Sequence, residues 1–396
     1  MRRRIADWFK EETVFVIAFV LAVASCFIVH PDAEYGTYIH MNTIVQLVAL
    51  MIVVCGWQRV GLFHIIGSKL LGRSRTERGL VLTLISLTFF SAMFITNDVA
   101  LVTFVPFAIS VLAMAKMRQY TCFVVTLMTI GANVGSMLTP IGNAHNLYLH
   151  QISGLPTMEV IGIMAPYSLA AAVLLTVVVC VVFGNRKLKN FDDVDSDDIE
   201  RSVLAPSTDM QPDEVRTMGF GGWRMWAYGV LFVVCLLGVD GIVDKWVMLA
   251  LVVVAMIFCD RRALLAVDYF LPLTFMAFFV FIGNMRRVPE FYTIAASFVG
   301  SHPIGLAVGF SQLISNVPTT LLLSGFSDAW RPLIIGTNLG GMGTLIASMA
   351  SLVSYKSVTR TYKREKDKYL LVYTGVNVLF LIVLLTLAAI IEPTGI

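Results

Sequence analysis

The stretches GANVGSMLT at residues 131–139 and GTNLGGMGT at residues 336–344 share the pattern G-x-N-x-G-x-M-x-T. Each lies inside a long apolar segment, where glycines and hydrogen-bonding side chains weaken a helix and leave backbone groups that lipid cannot satisfy. Both stretches are therefore predicted to be polar breaks within membrane-embedded helices. Interrupted apolar segments at corresponding positions in the two halves of a chain indicate the binding site of a transporter.

The composition predicts that most of the chain lies in a membrane. Hydrophobic residues make up 57% of the 396 residues and charged residues 14%, whereas soluble domains are about 45–50% apolar. The six cysteines are scattered singly with no C-x-x-C spacing, which favours buried packing positions over a metal site. The chain contains no Walker loop, dinucleotide-binding fingerprint or nucleophile elbow. We therefore expect neither an ATP-driven pump nor an enzyme.

Apolar segments predict the membrane crossings, because a helix needs ~20 apolar residues to cross a bilayer. Two segments, 79–115 and 301–325, carry polar residues at their centres, and each is predicted to be a re-entrant hairpin. The expected fold class is an all-α polytopic membrane protein with about nine transmembrane helices and two re-entrant hairpins. The alternative that 79–115 forms two ordinary crossings stays open. The nine predicted crossings are 13–30, 41–57, 119–150, 158–184, 224–240, 246–259, 266–284, 331–355 and 369–391.

The basic residues predict which loops are cytoplasmic, since cytoplasmic loops collect Lys and Arg. A cytoplasmic amino terminus places all but four of the 29 Lys and Arg on the inner side. The carboxyl terminus is then outside, and we expect a multi-pass protein of the cell (plasma or inner) membrane, with the lipid bilayer around it. Because topology explains the basic residues, the net charge of +3 does not indicate a nucleic-acid partner. The four basic residues outside are Lys245, Arg286, Arg287 and Arg331.

The chain divides into two similar halves. The polar segment 185–222, with its acidic run DDVDSDD at 192–198, is predicted to be a cytoplasmic linker between an N-terminal half, 1–184, and a C-terminal half, 223–396. FITN at 94–97 also matches LISN at 313–316. Because one repeat would start outside and the other inside, we expect inverted topology, which suits alternating access about a central site. In each half a hairpin precedes a broken crossing: 79–115 before 119–150, and 301–325 before 331–355.

Hydrogen-bonding residues occupy both hairpin tips and both breaks. A tip in mid-membrane exposes the carbonyl end of one half-helix, which suits a hard cation such as sodium, and the amide end of the next, which suits an anion. Alternatively, Ser and Thr bond to their own helices and Gly allows close packing. Because tip and break both occur twice, we predict a functional site. Its candidates are Thr96, Asn97, Asp98, Ser315, Asn316, Val317 and Thr319 in the tips, and Thr139, Pro140, Asn143, Thr344 and the carbonyls near Leu138 and Gly343 in the breaks.

Asp98 is the only carboxylate that this topology places near mid-membrane. An acid there costs ~3 kcal/mol on insertion scales and is a functional candidate by default. It could ligate a cation or carry a proton. The alternative is a structural acid at the start of the second half-helix, where aspartate is favourable.

At these residues the chain resembles the ion transporter superfamily, which contains divalent anion:sodium symporters, citrate transporters, arsenite permeases and one class of sodium/proton antiporters. The resemblance implies a homodimer, with a scaffold in each protomer and a transport domain that moves like an elevator. It maps two sodium sites onto Thr96, Asn97 and carbonyls near Leu138, and onto Ser315, Asn316 and carbonyls near Gly343, and it places substrate contacts at the Asn and the third residue of each tip. Together with the tip and break candidates above, the predicted cation-binding residues are Thr96, Asn97, Asp98, Leu138, Thr139, Ser315, Asn316, Gly343 and Thr344; the predicted substrate-binding residues are Asn97, Asp98, Thr139, Pro140, Asn143, Asn316, Val317, Thr319 and Thr344.

The chain departs from the dicarboxylate pattern of that superfamily at the third residue of each tip, where Asp98 and Val317 replace threonines. The Asn97-Asp98 pair is instead similar to the tips of arsenite permeases and citrate-transporter-like anion permeases. The leading hypothesis is a secondary active transporter of a small anion, an organic di- or tricarboxylate or an inorganic oxyanion, coupled to Na⁺ or H⁺, with no other cofactor or metal. The alternatives are a sodium/proton antiporter that uses Asp98, an arsenite-type permease, and a passive channel or membrane scaffold.

Overall fold

The computed structural model describes residues 12–71, 74–188 and 222–393. Most of the predicted linker, its acidic run, the amino-terminal arginines and Arg73 lie outside the described residues. Nineteen α-helices and no strand occur in the described ranges. In chain order, α1 to α19 are Thr13–Cys26, Tyr35–Tyr38, Met41–Arg59, Leu62–Leu71, Glu77–Ala92, Asn97–Met114, Thr121–Ser136, Ala144–Ser153, Thr157–Val182, Trp223–Val239, Lys245–Cys259, Arg261–Ala266, Phe270–Arg286, Pro289–Ser301, Pro303–Ile314, Asn316–Ser324, Trp330–Gly340, Met349–Thr361 and Lys366–Ile391.

The all-α polytopic class is confirmed. Four helical stretches in the described part of the chain are long and apolar enough to cross a membrane: Met41–Arg59, Asn97–Met114, Thr157–Val182 and Lys363–Ile391. The pair Phe270–Arg286 and Pro289–Gly300, bent by 106°, would be a fifth. Other predicted crossings correspond to shorter apolar helices or to helix pairs with a break between them. The number nine therefore stays a prediction.

Both predicted hairpins are pairs of helices joined by short turns. Residues 93–96 separate α5 from α6, and Ser315 alone, at φ 74°, separates α15 from α16. The α15 and α16 helices have 12 and 9 residues, or about 18 and 14 Å at 1.5 Å per residue, too short to cross ~30 Å of hydrocarbon. The α5 and α6 helices are longer, with 16 and 18 residues. Length alone therefore does not exclude two ordinary crossings for 79–115.

Both predicted broken crossings contain a break at the shared motif. Residues 137–143 separate α7 from α8, and residues 341–348 separate α17 from α18. The glycines of the motif allow the helix before each break to approach the first helix of its hairpin. A Cβ on Gly135 would lie 2.1 Å from the Phe89 carbonyl oxygen, and one on Gly340 would lie 2.5 Å from Ser311 Oγ. The glycine spacing of the motif thus positions each break beside its hairpin.

The buried apolar side chains form two large clusters. The first joins both arms of the first hairpin to α7, α9 and α19, and also includes residues of α15, α17 and α18. The second joins α1, α3, α10, α11 and α13, and reaches Ile141 in the first break and Val317 in the second tip. Hairpin tips and breaks therefore lie where the two clusters meet.

Contacts between loops agree with the two groups of loops that the charge sorting predicts. Arg331 Nε lies 2.5 Å from Glu392 Oε1, and both residues were predicted to be outside. At the opposite end, Glu77 N–H donates to the Arg186 carbonyl at 3.0 Å. Arg59 lies at that end too, where its Nε is 2.8 Å from Asp260 Oδ2. This ion pair joins the end of α3 to the residue that precedes α12.

Candidate functional site

The first hairpin tip lies directly on the first break. Thr139 Oγ1 donates to the Met93 carbonyl at 2.5 Å. The backbone N–H of Asn97, the first residue of α6, donates to the Gly142 carbonyl at 3.3 Å. A side chain at Gly142 would block this contact, because a Cβ there would lie 2.9 Å from the Ala92 carbonyl oxygen. Tip and break therefore form one unit.

The second tip makes an equivalent contact with the second break. The N–H of Asn316, the first residue of α16, donates to the Ala347 carbonyl at 2.9 Å. Ala347 follows the motif residue Asn338 at the same spacing at which Gly142 follows Asn133. Ser315 Oγ also lies 3.4 Å from the Ala347 carbonyl. The two matching sequence motifs therefore form matching tertiary contacts.

Gln312 completes the second break, and the sequence analysis missed it. Its Nε2 donates to the carbonyls of Gly340 and Met342, both at 2.9 Å, and its Oε1 accepts the Thr344 N–H at 2.8 Å. Thr344 Oγ1 in turn donates to the Gln312 carbonyl at 3.2 Å. One side chain thus satisfies three backbone groups that the break removes from helical hydrogen bonding. A lone glutamine just before the tip in an apolar helix was the available signal.

The motif asparagines join the two repeats. Asn133 Oδ1 accepts from Asn97 Nδ2 at 2.9 Å and from Ser348 Oγ at 3.4 Å, while Asn133 Nδ2 donates to the Gly341 carbonyl at 3.4 Å. Asn338 Nδ2 donates to Asn146 Oδ1 at 2.7 Å. Each motif asparagine therefore contacts a side chain or carbonyl of the other repeat, a role that the sequence pattern alone did not predict.

The third residues of the two tips, Asp98 and Val317, line one cavity of about 70 Å³. Ser315 and Pro318 also line it, as do two further acids, Glu12 and Asp268. No Lys or Arg of the described residues is part of this lining. Asp98 Oδ1 is buried and has no hydrogen-bond partner among the described groups. The cavity thus combines an unpaired carboxylate with oxygen-rich walls, which suits a cation or a proton.

A second cavity, of about 170 Å³, lies beside the first tip. Thr96 and Asn143 line it together with α3 residues such as Gln58. Asp268 lines both cavities and is exposed, so it lies between the buried acid and the surface. Sequence reasoning missed Asp268, because only the fold brings it from the start of α13 to the hairpin tip.

The remaining predicted site residues fall into two groups. In the described part of the chain, no backbone N–H donates a hydrogen bond to the carbonyl of Leu138 or of Gly343. Both carbonyls are therefore available to a ligand. Pro140 is buried within the first break. Thr319, in contrast, is fully buried, and its hydroxyl donates to the Ser315 carbonyl at 2.8 Å. The Thr319 hydroxyl therefore bonds within its own helix, as the alternative interpretation of the Ser and Thr residues expects.

Comparison of the sequence with known proteins places the chain in a family. The family model described as "Citrate transporter" matches residues 5–326. Inner membrane protein YbiR of Escherichia coli is 29% identical over 343 residues, which cover 84% of each chain. The transporter MJ0456 of Methanocaldococcus jannaschii is 28% identical over 360 residues, covering 89% of this chain and 90% of its own. A Dictyostelium discoideum protein named as a transporter, arsB, is 23% identical over 159 residues, covering 40% of this chain and 28% of its own.

Proposed function

Because the chain belongs to the citrate transporter family, we propose that this membrane transporter carries a small organic or inorganic anion, driven by a gradient of sodium ions or protons. The observation that carries the proposal is the paired contact of tip and break, Asn97 with Gly142 and Asn316 with Ala347. The two units of tip and break meet at the cavity that Asp98 and Val317 line. Ligands bound there would contact both repeats.

The coupling cation is proposed to bind at the tips and breaks. The carbonyls of Leu138 and Gly343, with the oxygens of Thr96, Asn97 and Ser315, supply the hard ligands that sodium prefers. Asp98 adds the one negative charge at a tip. Substrate contacts are proposed for the amide ends of α6 and α16 and for Asn143, where partial positive charge favours an anion.

The matching order of hairpin, broken helix and final helix in each half supports two repeats of inverted topology. The two apolar clusters support an elevator mechanism, in which the cluster holding α5 to α7 moves past the cluster holding α3 and α13. Both tips lie at the boundary between the clusters, where such a movement would expose them first to one side and then to the other. We also propose a homodimer in which the helices of the second cluster form the interface between the protomers.

Uptake by reconstituted vesicles tests this function. Purified protein in liposomes is supplied with labelled citrate, succinate, sulfate or arsenite under an inward sodium gradient, an inward proton gradient or no gradient. We expect at least one of these compounds to accumulate only when a gradient is present. If none accumulates under either gradient, the proposal is wrong.

A sodium/proton antiporter is the second candidate, and the lining of the Asp98 cavity favours it. Three acids and no described Lys or Arg line this cavity, so a cation needs no accompanying anion there. An antiporter would move protons out of the vesicles when a sodium salt is added, with none of the candidate substrate anions present. A pH dye trapped inside the vesicles would report the rise in internal pH. Loss of the signal in Asp98→Asn would favour this candidate, and an unchanged signal in that variant would remove it.

A further inference from the structure

A cavity of about 540 Å³ opens at the end of the molecule that contains the ion pair between Arg287 and Asp32. It lies far along α16 from the hairpin tip: Asn316 begins this helix at the tip and Ser324 ends it in the cavity wall. The first and last of the nine residues of α16 are about 12 Å apart along the helix at 1.5 Å per residue. The cavity is therefore distinct from the site between the tips.

Arg286 and Arg287 both line this cavity, but only Arg287 has ion-pair partners among the described residues. Arg287 Nη1 lies 2.7 Å from Asp32 Oδ2 and 3.5 Å from Glu34 Oε2, and it donates to Tyr38 Oη at 3.0 Å. Arg286 makes no hydrogen bond or ion pair with any group in the described ranges. It belongs to the last turn of α13, where the helix dipole offsets part of its charge but supplies no ion-pair partner.

Other groups in the cavity wall can accompany Arg286 in binding an anion. His40 packs edge-on against Tyr148 and Phe279, with ring centroids 5.7 and 5.1 Å apart. Burial lowers the pKa of His40, and the charge of Arg286 lowers it further. A neutral imidazole can still donate one N–H to an anion. Among the acids of the wall, Glu34 is paired with Arg287, and Asp328 is exposed.

The base of the cavity connects both parts of the transport machinery. Tyr148 Oη and Ser324 Oγ form a hydrogen bond of 3.1 Å that joins α8, which follows the first break, to α16, which follows the second tip. Arg286 and Phe279 belong to α13, and Phe279 shares an apolar cluster with Tyr148. A movement of α16 against α13 would therefore change this cavity.

We infer that this cavity is a capture site for the anionic substrate, with the Arg286 guanidinium as its charged ligand. The inference rests on the proposed function. Arg286 supplies the positive charge for an anion that the lining of the cavity between the tips lacks. Guanidinium binds a carboxylate or another oxyanion through two parallel N–H bonds. An anion held here lies one short helix from the tip at Asn316.

Kinetics of uptake test the inference. Right-side-out membrane vesicles containing wild type, Arg286→Gln, Arg286→Lys or Arg331→Gln are given the transported anion from the panel above over a range of concentrations. We expect Arg286→Gln to raise KM about tenfold, the scale of one lost hydrogen bond to a charged group, with little change in Vmax. Arg286→Lys keeps the positive charge but loses the two parallel N–H bonds, so its KM should lie between those of wild type and Arg286→Gln. Arg331→Gln removes a charge at the same end without touching the cavity lining and should leave KM unchanged.

The outcomes separate this inference from the proposed function. A KM in Arg286→Gln within twofold of wild type, while wild type transports the anion, contradicts the capture site alone. A fall in Vmax at unchanged KM also contradicts it, because that result indicates a structural role. Absence of anion uptake by the wild-type protein contradicts the proposed function and the capture site together.

Discussion

Asp98 and Val317 line the same cavity although 219 positions separate them in the chain, and each is the third residue of a hairpin tip. The two tips make equivalent backbone contacts with their breaks, yet they present a carboxylate on one side and an apolar side chain on the other. A symmetric scaffold thus forms an asymmetric site. This asymmetry is the basis for proposing that one cation is bound through Asp98.

Replacing Gly135 tests the close packing of the motif on the first hairpin. A Cβ in Gly135→Ala would lie 2.1 Å from the Phe89 carbonyl oxygen, so backbone must shift, and overpacking of this kind costs about 1–3 kcal/mol. We expect a lower midpoint of thermal unfolding in detergent. Gly162→Ala is the matched control, since nothing lies within 4 Å of its Cβ position. Equal midpoints for the two variants would show that α7 does not pack on α5 as described.

Replacing Gln312 tests the support of the second break. Gln312→Leu keeps a similar volume but leaves the Thr344 N–H and the carbonyls of Gly340 and Met342 without their partner. Each buried unsatisfied group costs about 1–3 kcal/mol, so we expect a lower unfolding midpoint and a reduced uptake rate.

Thr320→Val is the control for Gln312→Leu. It also removes a buried polar group, but among the described residues the Thr320 hydroxyl bonds only to the Asn316 carbonyl within its own helix, at 2.7 Å. We expect a small effect on stability, below about 1 kcal/mol. The assignment of Gln312 would be wrong if Thr320→Val were the more damaging change.

The ion pair of Asp32 with Arg287 predicts an acid-dependent stability. A hydrogen bond from Arg287 lowers the pKa of Asp32 below its usual 3.8. A lowered pKa contributes stability that is present above the unfolded-state value and is lost as the pH falls through the folded-state value. Lowering the pH from about 5 to 3 should therefore reduce the unfolding midpoint of wild type more than that of Asp32→Asn. Parallel pH profiles would argue against a stabilising role for the pair.

Much of the fold follows from local sequence properties. The predicted hairpins, 79–115 and 301–325, correspond to helices that span 77–114 and 303–324 with turns at the predicted tips. The predicted breaks are at the motifs because glycine and asparagine act on the backbone of their own segment. The positions of the hairpin turns and of the helix breaks depend on residues that are neighbours in the chain, so they can be predicted from the sequence.

The contacts that complete the site depend on residues far apart in the chain. Gln312 and Asp268 are single polar residues near helix ends, and nothing beside them in sequence shows that they meet the second break or the first tip. The ion pair of Arg59 with Asp260 is a further example, because 201 positions separate the two residues. Such roles follow from packing between helices, which one sequence does not reveal.

The role of Asp98 in cation coupling can be measured through the cation dependence of uptake in Asp98→Asn. Initial rates of labelled-anion uptake are measured against external sodium and against pH for wild type, Asp98→Asn and the exposed-acid control Asp367→Asn. We predict a saturable dependence on one of the two cations in wild type and in Asp367→Asn, and its loss in Asp98→Asn. The same cation dependence in Asp98→Asn as in wild type would contradict cation binding through Asp98.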